Sequence, residues 1–266
     1  MSPRLRRFAA STVGLIPVRI RGGVAKGARW TLFPWTSYWR GTHEPAVQGA
    51  IEHLGGGDIR GWSCWDLGAH FGFYSIALAV RVGPGGQVAA FEPNPSSFAR
   101  LERHRRMNRL AWLRAYQAAA SDHSGRADLL TYGEPDATSA HLRYGGETQV
   151  AGSAPVGVRT LRLDELVESG ELRAPQFAKV DVEGHGHRAI EGMRGSLAAS
   201  RPILIVAFHC EEEVEGVLGV LGPLGYRWAP VAPPPHGSGT MVGGDYLFSP
   251  RGFATPSRSP STTLPS

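Results

Sequence analysis

The stretch Trp65-Asp66-Leu67-Gly68-Ala69-His70-Phe71-Gly72-Phe73-Tyr74-Ser75 constrains the fold of this chain more than any other. Ser63 to Leu67 reads as a short buried strand. Phe73, Ile76, Ala77 and Val80 repeat at helical spacing, so residues 73–82 read as a helix. Gly68 and Gly72 lie between them. A strand, a glycine turn and a helix in that order bring backbone close to a ligand at the carboxyl edge of a parallel sheet. The next strand, Val88 to Phe91, ends at a second acidic residue, Glu92.

A carboxylate at that strand end can accept hydrogen bonds from both hydroxyls of a ribose, a device shared with NAD proteins. The glycine spacing separates the two cases. A dinucleotide turn needs G-x-G-x-x-G, open enough for a pyrophosphate. Here the pattern is D-x-G-x-x-x-G, with His70 in place of the central glycine. That turn suits a nucleoside cofactor without phosphates, and S-adenosylmethionine (SAM) is the expected one.

One large domain is the default for 266 residues, and 42% hydrophobic content supports a full core. No apolar run approaches the roughly 18 residues of a spanning helix, so stable membrane insertion is not expected. Arg4-Leu5-Arg6-Arg7 and the apolar Phe8 to Val18 resemble a signal peptide in outline. Pro17, Arg19 and Arg21 interrupt the pattern, and no small-x-small cleavage site follows. Cys64 and Cys210 both read as lying in predicted strands, which argues for reduced thiols and a cytoplasmic protein. The formal charge of +5 comes almost wholly from arginine. Its densest group, Arg100, Arg103, Arg105, Arg106 and Arg109, reads as a solvated helix face. No nucleic-acid-binding module is visible, so no nucleic-acid partner is expected.

Residues 1–45 read as an N-terminal arm with a short strand or hairpin, rich in aromatics, at 28–40, and residues 46–249 as one domain. Within that domain the expected order is helix 44–54, strand 63–67, helix 73–82, strand 87–92, helix 95–109 and a strand near 112–119. An added strand at 125–132 precedes the polar, glycine-rich stretch 133–155, read as a loop and candidate lid. Strand 158–163, a short helix, strand 177–182, helix 187–198, strand 202–208 and helix 211–221 follow. Residues 226–230 and 245–248 read as a closing antiparallel pair, and 250–266 as a disordered tail. The alternation predicts an α/β, doubly wound, Rossmann-like sheet.

Four stretches in order resemble the FkbM-type family of SAM-dependent methyltransferases. They are Trp39-Arg40-Gly41-Thr42-His43-Glu44-Pro45, the turn at Asp66 to Ser75, Phe91-Glu92-Pro93-Asn94-Pro95, and Lys179-Val180-Asp181-Val182-Glu183-Gly184-His185. Ala120-Ser121-Asp122-His123-Ser124-Gly125 is similar to the family's turn after the third strand. The resemblance implies a class I methyltransferase fold: a mostly parallel seven-stranded sheet with helices on both faces. It also implies O-methylation of a sugar, polyketide or other metabolite. It assigns Asp66, Gly68, Ala69, His70, Gly72, Tyr74 and Ser75 to the cofactor turn and its helix. Glu92, Pro93 and Asn94 would lie beside the adenosine, and Ser121 and Asp122 on the adenine side; Glu44 is a further expected cofactor-binding residue. Asp181 and Glu183 would face the methyl group. Two positions depart from the family's pattern: His70 replaces a smaller polar residue, and Ala207 stands where an acidic residue is expected.

Methyl transfer needs alignment of an acceptor oxygen and a base for its proton. The candidates are Asp181, Glu183, His185, His187 and His209, at the ends of two predicted strands. Asp181 is expected to position cofactor or acceptor, and Glu183 or His209 to take the proton. A structural role for Glu183 and His209, and a surface role for His185 and His187, stand beside these readings. Two carboxylates and a histidine could bind a divalent metal, but no dedicated ligand spacing is present, so none is assigned. Trp30, Trp35, Tyr38 and Trp39 could line an acceptor pocket or form an aromatic core; His141, Arg143 and Tyr144 are further candidates in the lid. The expected acceptor is a small molecule or glycan; the oligomeric state stays open. The competing functions are an NAD-dependent oxidoreductase, a nucleic-acid methyltransferase and a non-catalytic SAM-binding module.

Overall fold

The computed structural model describes residues 16–33, 36–132, 140–143, 153–232 and 240–250. A hairpin of β1 (Pro17–Arg19) and β2 (Arg29–Thr31) precedes α1 (Pro45–Glu52). Then come β3 (Ser63–Leu67), α2 (Phe73–Val82), β4 (Gln87–Phe91), α3 (Pro95–Met107) and β5 (Leu113–Tyr116). A second sheet follows, built from β6 (Ala119–Ser121), β7 (Gly125–Tyr132), β8 (Ala140–Arg143) and β9 (Ser153–Arg162). The chain returns through α4 (Leu163–Glu168), β10 (Phe177–Val180), α5 (Gly186–Glu191), α6 (Arg194–Ser200), β11 (Ile203–Ala207) and α7 (Glu211–Leu221). It closes with β12 (Arg227–Pro230) and β13 (Asp245–Ser249).

The main sheet has seven strands in the order β12-β13-β11-β10-β3-β4-β5. Only β13 runs against its neighbours. Strands β3, β10 and β11 are almost wholly buried, as parallel strands covered on both faces must be. Alternate residues feed two cores. Cys64, Val88, Phe177 and Ile205 pack with α1, α2 and α3 on one face. Trp65, Ala89, Ala178 and Leu204 pack with α4 to α7 on the other. The expected α/β architecture is present, and the strand order reverses direction at β3. A crevice forms at such a switch point, outside the carboxyl ends of the strands.

The structure differs from the sequence reading in four places. The strand within 28–40 pairs backward with β1, so the hairpin spans 17–31, and Tyr38–Arg40 is a 3-10 turn. The strand expected at 112–119 is two strands: β5 closes the main sheet and β6 leaves for the second. Part of the 133–155 loop is strand, because β8 pairs with β7 and β9 starts at Ser153; residues 133–139 and 144–152 lie outside the described residues. The helix expected at 187–198 breaks into α5 and α6. Asp164 causes the second start: its carboxylate accepts hydrogen bonds from the amides of Gly195 and Ser196 and from Ser196 Oγ. The arm before residue 16, Trp35 and Tyr144, and tail residues 251–266 also lie outside the described residues.

The hairpin docks through one aromatic stack. Trp30 is fully buried and lies on His104 of α3, with centroids 3.6 Å apart. His104 Nδ1 donates to the Phe71 carbonyl at 2.8 Å, so Nε2 is the acceptor for the Thr31 amide at 3.2 Å. Burial pushes the His104 imidazole down to about 3, which keeps it neutral in this role. Trp30 is therefore core, not pocket. The variant Trp30→Ala should lose roughly 3–5 kcal/mol of stability, read from urea unfolding. A loss below 1 kcal/mol would show that the hairpin is not docked as described.

Candidate active site

The turn after β3 is drawn tightly against β4 and β10. Gly68 and Ala69 both donate their amides to the Phe91 carbonyl, at 3.0 and 2.9 Å. Gly68 has φ +83°, and a Cβ there would meet the Asp181 carbonyl oxygen at 1.8 Å. No other residue type fits that contact. Gly72 is similarly pressed on Leu101 of α3. Between them His70 takes a left-handed φ of +48°, and its amide donates to Glu92 Oε2 at 2.7 Å.

Glu92 ends β4 and is 6% exposed. Its other oxygen accepts the Asn94 amide at 2.8 Å. Each carboxylate oxygen thus has one fixed partner and keeps capacity for another. Burial pushes this carboxyl up to about 7, against the two amide hydrogen bonds. Asn94 caps α3, its side chain accepting from the Ser96 amide at 2.9 Å. Pro93, Asn94, Ser97, Ala119, Ala120 and Leu129 line the same solvent-open cleft as Glu92.

Asp66 and Ser75 stand elsewhere. Asp66 is 1% exposed and accepts a short hydrogen bond from Ser75 Oγ in the first turn of α2. Burial raises its carboxyl. The pair ties the helix to the strand from behind the turn and does not line the cleft. Ser121 and Asp122 are likewise set back. Ser121 Oγ donates to Asp122 at 3.0 Å and lies 3.2 Å from His185 Nε2, while Arg188 holds the other Asp122 oxygen at 3.2 Å. His185 is 5% exposed, so the surface role expected for it is corrected; it ties β6 to α5. His187 is half-buried beside Glu212.

The segment before α1 forms a wall of the cleft. Tyr38 OH lies 2.9 Å from His70 Nδ1, and the His70 ring stacks on Phe71. Burial pushes the His70 imidazole down to about 4. Tyr74 donates to Glu44 Oε2 at 2.8 Å, and His43 sits 3.2 Å from Oε1. Burial opposes ionisation of Glu44, but the His43 hydrogen bond and the Lys179 charge hold its carboxyl below the usual range. Tyr38, His43, Glu44 and His70 all line the cleft. Trp39 instead packs between Arg21 and Arg40. Arg100, expected on a solvated face, lies over the Phe33 ring at 3.9 Å.

Asp181, Val182 and Glu183 line the cleft as well. Lys179, 2% exposed, reaches Asp181 Oδ2 at 2.6 Å. Burial raises the Asp181 carboxyl, but Lys179 and His209 outweigh it and hold it well below the usual range. His209 Nε2 lies 3.4 Å from Asp181 and 3.7 Å from Glu183; Nδ1 lies 3.3 Å from Glu213. Burial works against the imidazolium, yet Asp181 and Glu213 push His209 up to about 10. The sequence reading names Asp181, Glu183 and His209 at these two strand ends, and the structure brings the three together. Lys179, Glu213 and Asp245 went unread. Asp245 on β13 is the register partner of Ala207, so a carboxylate returns from the adjacent strand where β11 lacks one. Burial pushes Asp245 up to about 6. The antiparallel pairing was legible; its register was not.

Residues 66–227 match the methyltransferase FkbM domain model. The hexuronic acid methyltransferase AglP of Haloferax volcanii is 28% identical over 225 residues, covering 82% of this chain and 86% of the relative. The 2-O-methyltransferase NoeI of Sinorhizobium fredii is 28% identical over 149 residues, 52% of this chain and 60% of that protein. A crystal structure of a Clostridium thermocellum protein assigned as an rRNA methylase aligns with a TM-score of 0.50 at 10% identity. It covers 77% of this chain and 94% of that one, a likeness of fold alone. With the glycine turn, Glu92 and the Asp181 strand end all inside the matched segment, the chain belongs to the FkbM family of methyltransferases.

Proposed function

We propose that this protein transfers a methyl group from SAM to a hydroxyl of a sugar or other small molecule. One observation carries the reading: a single cleft joins the half-satisfied carboxylate of Glu92 to the acidic end at Asp181 and Glu183. When bound, SAM supplies a methyl group already activated by its sulfonium. Glu92 takes the ribose hydroxyls on its two remaining acceptor sites. Gly68 lets backbone approach the cofactor, and Tyr38 and His70 close the side wall and exclude water. Asp181, clamped by Lys179, faces the positive and acceptor-binding end. Glu183 accepts the proton of the acceptor hydroxyl, since its side chain lines the cleft. His209 does not line the cleft; it orients Asp181 and Glu183.

Family membership sets aside the NAD-dependent reading. The relatives are named for methylating a hexuronic acid and for 2-O-methylation, which favours a glycan acceptor here. The direct test is incubation with methyl-labelled SAM and a panel of oligosaccharides, followed by mass spectrometry and permethylation analysis. Label is expected on a ring hydroxyl oxygen. Label only on nitrogen or carbon would overturn the reading.

Two variants test the roles. The Glu92 carboxyl is protonated below about pH 7 and must ionise to accept both ribose hydroxyls. SAM affinity should therefore improve as pH rises through 7 and level off above it, measured by calorimetry. Glu92→Gln should weaken SAM by at least ~1 kcal/mol and remove that pH dependence. An unchanged pH profile would sink the ribose assignment. Glu183→Gln should lower kcat by about 100-fold or more while leaving SAM affinity within twofold, by the usual size of a general-base effect.

A further inference from the structure

Asp181, Glu183 and His209 converge from the ends of β10 and β11. One ligand atom of each lies within 4.8 Å of the other two. His209 Nε2 stands 3.4 Å from Asp181 Oδ1 and 3.7 Å from Glu183 Oε2. Both gaps exceed an ordinary hydrogen bond. Octahedral bonds of about 2.0–2.1 Å imply ligand-to-ligand edges of about 2.8–3.0 Å, so both gaps shorten by about 0.4–0.9 Å when a cation binds.

Each of the three is held by its surroundings. Lys179 occupies Asp181 Oδ2 and leaves Oδ1 toward His209. Glu213, fully buried, backs the other ring nitrogen at 3.3 Å. Both Glu213 oxygens are fixed in turn by the amides of Gly186 and His209. A carboxylate behind an imidazole in this way orients a metal ligand and raises its basicity. Glu183 reaches the group through a left-handed φ of +50°, a conformation that costs a non-glycine residue of order 1–3 kcal/mol. Glu44 and Asp245 add negative charge nearby, and both act on Lys179 and Asp181. A dication would offset that excess.

We propose that Asp181, Glu183 and His209 form a divalent-cation site, suited by its two carboxylates and one imidazole to Mn2+ or Mg2+. The cation takes the place of a proton on His209. Asp181 and Glu183 line the cleft, so the coordination positions left open face the acceptor. The role of the site rests on the methyltransferase reading above; its existence does not. An acceptor hydroxyl on the cation becomes more acidic. Its O–H bond breaks, and the proton passes to the oxygen of Glu183 turned away from the cation. The oxygen's electron pair forms the new O–C bond as the S–C bond breaks, and that bond's pair stays on sulfur.

The test uses the full chain, stripped with EDTA and dialysed. Mn2+ is titrated in, and free Mn2+ is followed by its paramagnetic resonance signal. One saturable site per chain is expected below about 1 mM. His209→Ala and Glu183→Gln should weaken it by about tenfold or more, with circular dichroism confirming the fold. Glu191→Gln, in an exposed pair with Arg194, should leave it unchanged. No saturable binding, or equal binding in all variants, overturns the site. Methyl transfer undiminished after EDTA overturns its role and leaves the methyltransferase reading intact. Mn2+ bound at these residues with no methyl transfer to any acceptor overturns the function and keeps the site.

Discussion

The ammonium of Lys179 sits at the centre of the molecule's charge balance. It is 2% exposed and beside Asp181. Asp66 is its register partner across β3 and β10, and Glu44 adds to the same field. Burial alone would drive a lysine toward neutrality; those three carboxylates hold it charged. Removing one partner of such a pair costs about 3–5 kcal/mol, because it strands the other charge. The same ion pair therefore supports the sheet and sets the charge of Asp181. Stability and chemistry are joined at one side chain.

Backbone strain gathers around the same cleft. Five described non-glycine residues have positive φ: Glu44, His70, Arg109, Glu183 and Arg201. Three of them, Glu44, His70 and Glu183, line the cleft. His70 is strained so that its amide can reach Glu92. Glu183 is strained so that its carboxylate turns back toward His209. Tyr74 holds the Glu44 carboxylate and Tyr38 the His70 ring in these conformations.

The sheet was legible from period-two and period-3.6 patterns, because parallel strands buried on both faces leave long apolar runs. The second sheet was not, since β8 and the start of β9 lie in a polar, glycine-rich stretch that reads as loop. At the site, residue types were legible and directions were not. Asp66 falls on the parity of Cys64, which faces the α2 side of the sheet. Its carboxylate therefore meets Ser75 instead of the cleft. Ser121 was placed near the cofactor, while the neighbouring Ala119 and Ala120 are the residues that line the cleft, and small apolar side chains carry no chemical signal. Glu213 and Asp245 depend on a helix-to-loop contact and on strand register, neither of which one sequence encodes locally.

Tyr38, His43 and Glu44 precede the segment that matches the family model, yet they form one wall of the cleft. The floor of the site, made by Gly68, Glu92 and Asp181, is rooted in the sheet and cannot shift without disturbing the core. The wall is attached by side-chain contacts to Tyr74 and His70. Such a division fixes the floor through the sheet and the wall through two side-chain contacts, Tyr74 to Glu44 and His70 to Tyr38. A disturbance of residues 36–44 would therefore open the side of the cleft while Gly68, Glu92 and Asp181 kept their places.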